Sequence, residues 1–170
     1  MAVVFETERL IVRTFTPADA DVFFALQSDP QVMQYIRPPR TREESDAFLQ
    51  EKILSGFFSG FMGYWVVEEK ESGAFAGCFV IIPIPDDQSK TQLGYSFFTD
   101  YWGRGYATEV TLAGVEYVKY RTPLQEIYGV TETPNIASQK VLLKAGFQPF
   151  SKKTEGGKEL LVFILRREPL

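Results

Sequence analysis

The chain has 170 residues, 45% of them hydrophobic and 24% charged, with a net charge of −4; these are the proportions of a globular protein large enough to bury its own core. That charge predicts no direct nucleic-acid partner and no attraction to membrane surfaces, so an anionic ligand needs a local site. With no histidine and one cysteine, a Ser-His-Asp or Cys-His relay, a histidine-bearing metal site, a cysteine cluster and an internal disulfide are excluded.

The start, "MAVVFETERLIVR", lacks the basic-then-apolar layout of a signal peptide, and no apolar run reaches membrane-spanning length. The expected location is cytoplasmic. Residues 5–14, "FETERLIVRT", read as one alternating strand. "TPADADVFFALQSDP" reads as a helix with Thr16 as N-cap and Pro17 at the first helical position, ended by Asp29-Pro30. "QVMQYIRPP" is a short turn or helix. "TREESDAFLQEKILSGF" predicts another helix, opened by the capping box Thr41-x-x-Glu44 and ending near Gly56. The period then changes. "GYWVVEEK" and "AFAGCFVIIP" read as a hairpin turning at "ESG", with Cys78 as a small buried residue rather than a nucleophile. "PIPDDQSK" reads as a polar loop and "TQLGYSFF" as a third strand run. "GYATEVTLAGVEYVKYR" follows as a helix with Ala107, Val110, Ala113, Gly114, Tyr117 and Val118 on one stripe. "LQEIYGVTE" is a strand. "PNIASQKVLLKAG" is a helix with Asn135 as N-cap, Ala137, Val141, Leu142 and Ala145 inward, and Gly146 beyond its end. A terminal hairpin turns at Glu155-Gly156-Gly157. No linker or repeat divides the chain, so residues 1–170 are expected to form one α+β domain: a mainly antiparallel sheet with helices laid across it.

The stretch "DYWGRGYATEV" joins a strand to a helix through Gly103-Arg104-Gly105. It satisfies neither the Walker A pattern nor the dinucleotide fingerprint, since Thr108 stands where a third glycine is needed. The first amides of the helix nonetheless point outward without intrahelical acceptors, which suits phosphate oxygens. Glycines permit close approach, and Arg104 offers a charge-assisted contact. On local chemistry alone, a solvated turn and an anion site both fit.

Together, "LGYSFFTDYWGRGYATEV" and "NIASQKVLLKAGF" resemble the GNAT family of acyl-CoA-dependent N-acetyltransferases, especially the branch of ribosomal-protein N-terminal and spermidine acetyltransferases. "ETERLIVR" and "SDPQVMQYI" are similar to the same branch. The resemblance implies a three-layer α/β/α fold with a mixed, mostly antiparallel sheet and helices on both faces. It implies acetyl-CoA as cosubstrate and no metal. The family's pyrophosphate motif falls on Trp102, Gly103, Arg104, Gly105, Tyr106 and Ala107, with Thr108 completing the amide cradle; Trp102 replaces the usual Gln or Arg. By the same resemblance, Ser96, Phe97 and Phe98 pair with the pantetheine arm through backbone groups, in the manner of an added strand. The sheet is expected to open between that strand and "EIYGVTE".

Acetyl transfer needs a neutral amine, a donor for the developing oxyanion and a proton for the departing thiolate. A direct transfer needs no enzyme nucleophile, which suits a chain without histidine. Many family members carry a Tyr four residues before the glycine of the last motif; here that residue is Leu142. The branch pattern Asn-x-x-Ser instead implies Asn135 as a contact to the CoA arm and Ser138 as the sulfur's proton donor, against the plainer roles of N-cap and first-turn residue. Relatives often place an acid before "LGY", where this chain has Gln92. Glu68, Glu69 and Glu132 are the alternative bases, beside a water chain to solvent. The acceptor is expected between "QVMQYIRPPR" and "GFFSGFMGYW", with Tyr35, Tyr64 and Gln92 as substrate contacts and Phe57, Phe58 and Phe61 nearby. Glu43, Glu44 and Asp46 offer attraction for a cationic amine. A protein N-terminus, a polyamine, an amino acid or an antibiotic are the acceptors to distinguish, and a CoA-binding module without catalysis is the alternative in kind. The chain is expected to act as a monomer or homodimer.

Overall fold

A computed structural model of the chain describes residues 1–168. The first run is two strands, β1 (Val3–Glu6) and β2 (Leu10–Arg13), and not the single strand expected. Thr7 makes the break: its amide donates to the Leu10 carbonyl at 2.8 Å and its Oγ1 accepts from the Leu10 amide at 3.0 Å. Alternation alone does not reveal this turn, because its polar residues continue the pattern of the flanking strands.

A 3-10 turn over Pro17–Asp19 leads into α1 (Ala20–Ser28). Asp19 accepts from the Thr16 amide at 2.8 Å and holds Arg13 through two 3.0 Å contacts. Burial opposes the charge on Asp19, but the Arg13 and Thr16 hydrogen bonds outweigh it and hold the carboxyl below its ordinary range. A short α2 (Pro30–Met33) is capped by Asp29. The predicted Thr41–Glu44 capping box opens α3 (Arg42–Phe48), which continues through a wider π-type segment, Leu49–Leu54.

The sheet continues with β3 (Gly63–Glu69), β4 (Phe75–Ile84) and β5 (Asp87–Phe97). "PIPDDQSK" is therefore mostly strand, with Ile84 pairing Asp87 across a tight turn. Backbone pairing with β4 extends the ladder beyond the apolar residues that mark it in the sequence. Then come α4 (Tyr106–Arg121), β6 (Glu126–Glu132), α5 (Ile136–Lys144), β7 (Gln148–Glu155) and β8 (Lys158–Arg166).

Among the described residues, eight strands form one sheet in the order β1-β2-β3-β4-β5-β6-β8-β7. Every neighbouring pair is antiparallel except β5 and β6, which share the single bridge Gln92–Tyr128. Side-chain alternation divides β3 and β4 between two cores. Tyr64, Val66 and Cys78 meet Phe23, Leu26, Met33 and Leu49 from the α1–α3 excursion. Trp65, Val67, Phe79 and Ile81 meet Val110, Val118 and Leu142 from α4 and α5. Helices on both faces of a mostly antiparallel sheet give the α/β/α layering that the resemblance implies. Leu142 is 3% exposed and packs so closely on Gly129 that a β-carbon there would lie 2.7 Å from its Cδ2. Of the four α5 residues expected inward, Ala137 is exposed; it shares the face of Val141 and Ala145 but lies in the first turn. Among the described residues, no helix is long and apolar enough to cross a membrane.

Candidate active site

The site begins where β5 and β6 part. Parallel strands normally exchange a continuous ladder, but this pair is joined only at Gln92–Tyr128. Gln92, expected as a substrate contact, therefore marks the vertex of the opening. The register with β4 and the bond from the Phe98 amide to the Ala76 carbonyl turn the peptide groups of Ser96 and Phe98 toward β4. The peptide groups of Tyr95 and Phe97 consequently face the opening.

At the end of β5, Gly103 and Gly105 adopt φ of 74° and 79°. Only glycine takes this left-handed conformation without a penalty of about 1–2 kcal/mol. The turn brings a series of amides together before α4. Among the described residues, the amides of Gly103, Arg104, Gly105, Tyr106, Ala107 and Thr108 have no protein acceptor. No side chain fills the space beside Gly103, and the guanidinium of Arg9 is the nearest group to Gly105, 3.5 Å from where a β-carbon would lie. Free amides, open glycines and a helix N-terminus are what a pyrophosphate requires, so these residues fit the CoA group that the motif implies.

Several side chains of this loop point elsewhere. Arg104 reaches Glu69 on β3 at 3.2 Å, and the Tyr106 hydroxyl donates to the same carboxylate oxygen at 2.5 Å. Tyr106 is 6% exposed and Glu69 7%, so Tyr106 serves the loop through its amide while its ring anchors it. The Tyr106 hydrogen bond, with one from Ser72, holds the Glu69 carboxyl below its ordinary range. Arg9 adds a second tie, donating to the Arg104 carbonyl at 2.9 Å while pairing with Glu109. Trp102 retains a polar function: its Nε1 donates to the Phe97 carbonyl at 2.9 Å. That bond uses the carbonyl Phe97 turns toward the opening and leaves its amide free. Phe98 is more fully committed, its amide to Ala76 and its carbonyl to the Tyr101 amide.

Across the opening, Asn135 caps α5 by accepting from the Ser138 amide at 3.3 Å. The Tyr95 hydroxyl donates to Ser138 Oγ at 3.1 Å. Sequence reasoning missed Tyr95; the odd-residue alternation from Leu93 to Phe97 was the available signal for its face. Burial pushes the Tyr95 phenol above its ordinary range, with the Ser138 bond acting in the opposite direction, so the phenol is a neutral donor at physiological pH. On β6, Thr131 is 6% exposed and its hydroxyl has no partner among the described residues. Burial also raises the Cys78 thiol well above its ordinary range, which makes it inert as a nucleophile.

The three carboxylates considered as bases are otherwise occupied. Glu68 binds Arg13 at 2.8 Å, Glu69 belongs to the loop, and Glu132 binds Lys158 at 3.3 Å. On the α1–α3 side, Tyr64 lies in an aromatic core with Phe15, Phe23, Phe48 and Phe58, and Tyr35 is half-buried between α2 and α3. Phe61 instead accepts through its carbonyl from Tyr117 of α4, and Phe57 is exposed. A cavity of about 240 Å³ lined by Phe15, Leu54, Phe58 and Tyr64 adjoins β2 and not the opening. Of the three acids expected to attract a cation, Glu44 completes the α3 cap and Asp46 pairs with Arg42, while Glu43 is exposed and has no side-chain partner among the described residues.

The family profile described as Acetyltransferase (GNAT) domain matches residues 9–148. The chain is 28% identical over 146 residues to the uncharacterised N-acetyltransferase YoaA of Bacillus subtilis (strain 168), covering 85% of this chain and 82% of that one. Its fold is similar to spermidine N-acetyltransferase from Vibrio cholerae in complex with CoA and spermine, with a TM-score of 0.79 at 15% identity over 94% and 96% of the two chains. It is similar also to the ribosomal alpha-N-protein acetyltransferase RimL in complex with coenzyme A, with a TM-score of 0.81 at 14% identity over 97% and 98%.

Proposed function

This chain belongs to the GNAT acetyltransferase family, the acyl-CoA-dependent N-acetyltransferases, and from that premise we propose that residues 1–170 act as one domain transferring acetyl to a primary amine by direct attack. The observation carrying this reading is the Tyr95–Ser138 hydrogen bond at the opening between β5 and β6, beside amides with no acceptor. Acetyl-CoA, when bound, supplies the thioester that the amine attacks. The amides of Gly103 to Thr108 hold its pyrophosphate, and Asn135 contacts its arm. The outward amides of Tyr95 and Phe97 are the donors available to carbonyl oxygens of the donor. A carbon–nitrogen bond forms and the carbon–sulfur bond breaks. Ser138 gives its proton to the departing sulfur, and the Tyr95 phenol, which donates to Ser138 Oγ, replaces that proton.

Leu142 is buried against Gly129, which leaves the acid role to Ser138. Because Glu68, Glu69 and Glu132 are all paired, the amine's own proton leaves through water. Of the two solved relatives, one is a ribosomal alpha-N-protein acetyltransferase and the other a spermidine N-acetyltransferase. A polyamine is the weaker acceptor for this chain, because two of its three expected carboxylates, Glu44 and Asp46, are used in the α3 cap and in the pair with Arg42, which leaves Glu43 alone. The test is thiol release from acetyl-CoA across a panel of primary amines at several pH values. Transfer is expected, with the rate rising with pH in step with each amine's own pKa. CoA binding without turnover on any amine overturns this function.

A further inference from the structure

We propose that Arg37 and Arg40 form an anion subsite on the acceptor side, so that the preferred acceptor is a primary amine carrying a carboxylate within a few bonds. This rests on the acetyl-transfer reading above and names its substrate class. Most other arginines near the sheet have carboxylate partners: Arg9 has Glu109, Arg13 has Asp19 and Glu68, Arg42 has Asp46, and Arg104 has Glu69. Among the described residues, neither Arg37 nor Arg40 has a carboxylate within ion-pair distance. Both are half-buried.

They are held side by side by Gln27, which is fully buried. The Gln27 side-chain oxygen accepts from Arg37 Nη1 at 3.0 Å, and its backbone carbonyl accepts from the Arg40 amide at 2.9 Å. The Arg40 guanidinium lies 3.9 Å over the ring of Phe48, with its Nη1 buried and unpartnered. Ser45, one turn earlier on the same face of α3, is fully buried, and its hydroxyl also lacks a partner among the described residues. Burial and then the charge of Arg37 hold the Arg40 guanidinium below its ordinary range. Two unpaired cations fixed together in a half-buried site are costly unless an anion completes them. A planar guanidinium matches a carboxylate in two parallel hydrogen bonds.

The placement suits the chemistry. Gln27, which holds Arg37, also donates from its Nε2 to the Tyr64 hydroxyl of β3 at 3.5 Å, and Tyr64 packs in the same core as Cys78 of β4. Cys78 is directly opposite Ser96 on β5, and the opening is the next edge of that strand. An anion at the pair thus sits on the face of the sheet opposite α4 and α5, on the side of β3 and β4 from which the sheet continues through β5 to the opening.

The experiment compares kcat/KM, expressed per neutral amine from full pH profiles, within matched acceptor pairs: leucine against isoamylamine, and glutamyl-alaninamide against glutaminyl-alaninamide. The first pair tests a free amino acid, and the second an acidic peptide N-terminus. In at least one pair the carboxylate-bearing amine is expected to be preferred by about 10–100-fold, the range of a charge-assisted contact. Arg37→Met and Arg40→Met should bring that ratio close to one, and Arg37→Lys should recover part of it, with CoA affinity as the folding control. Equal or reversed preference in both pairs of the wild-type protein overturns the subsite, whether or not the variants fold. A preference for phosphoethanolamine over every carboxylate-bearing amine also overturns the carboxylate assignment. Absence of transfer to any amine overturns the acetyltransferase function instead.

Discussion

The proposed donor and acceptor sides of the opening are built in opposite ways. The donor side is a run of consecutive residues, Trp102 to Thr108, whose useful groups are backbone amides. The acceptor side draws Gln27, Arg37, Arg40 and Tyr64 from three separate segments and uses their side chains. A backbone site depends on φ, ψ and a helix start, which neighbouring residues encode. A side-chain site exists only when distant segments pack correctly. The donor side should therefore fail through changes in backbone or charge, and the acceptor side through loss of particular side chains.

The largest expected effect is on the donor side. Gly105→Glu forces a side chain into the left-handed region and sets a negative charge beside phosphates. Like charges brought together cost several kcal/mol, so CoA affinity should fall by more than about 100-fold. Calorimetric titration with CoA, alongside circular dichroism, measures it; wild-type affinity would remove the cradle.

Ser138→Ala, where the two sides meet, should lower turnover by about 100-fold, the lower end of general acid catalysis, while CoA affinity is retained. Tyr95→Phe should have a smaller effect of about 10-fold, the size of one hydrogen bond. If turnover survives both changes, the proton comes from elsewhere and α5 only shapes the opening.

The smallest effect concerns the tie between loop and sheet. Glu69→Gln should weaken CoA binding by about 2–5-fold, as for a modest ion pair. The sign of its pH dependence follows from the depressed carboxyl. Its stabilising contribution is present above the ordinary value of 4.5 and is lost as pH falls through the lower folded value. Glu109, also held low, titrates in the same window, so the informative quantity is the difference between wild type and Glu69→Gln. CoA titration across that window should show that difference narrowing on acidification; a constant difference would separate Glu69 from the loop.

The elements carrying strong local signals were readable in the chain. Thr16-Pro17, the Thr41–Glu44 box, Asn135 and Gly146 each mark a helix boundary through a hydrogen bond or a φ value made within a few residues. Thr7 and the start of β5 were not readable, because a turn hidden in alternation and a ladder extended by its neighbour leave no apolar mark. Within the site, the glycine loop and Ser138 could be named from the sequence, whereas Tyr95 could not be linked to Ser138, 43 residues away.

By itself the sequence determined the conformations its own neighbouring residues impose: the left-handed glycines before α4, the capped helices and the strand periods, and through them the proposed donor half of the site. Tertiary structure alone decided which charges remain unpaired. It paired Arg104 with Glu69 and placed Trp102 on Phe97, and it left Arg37 beside Arg40. The physical reason is range: backbone preferences act over a few residues, whereas the partner of a charged side chain is chosen by whichever distant segment packs against it.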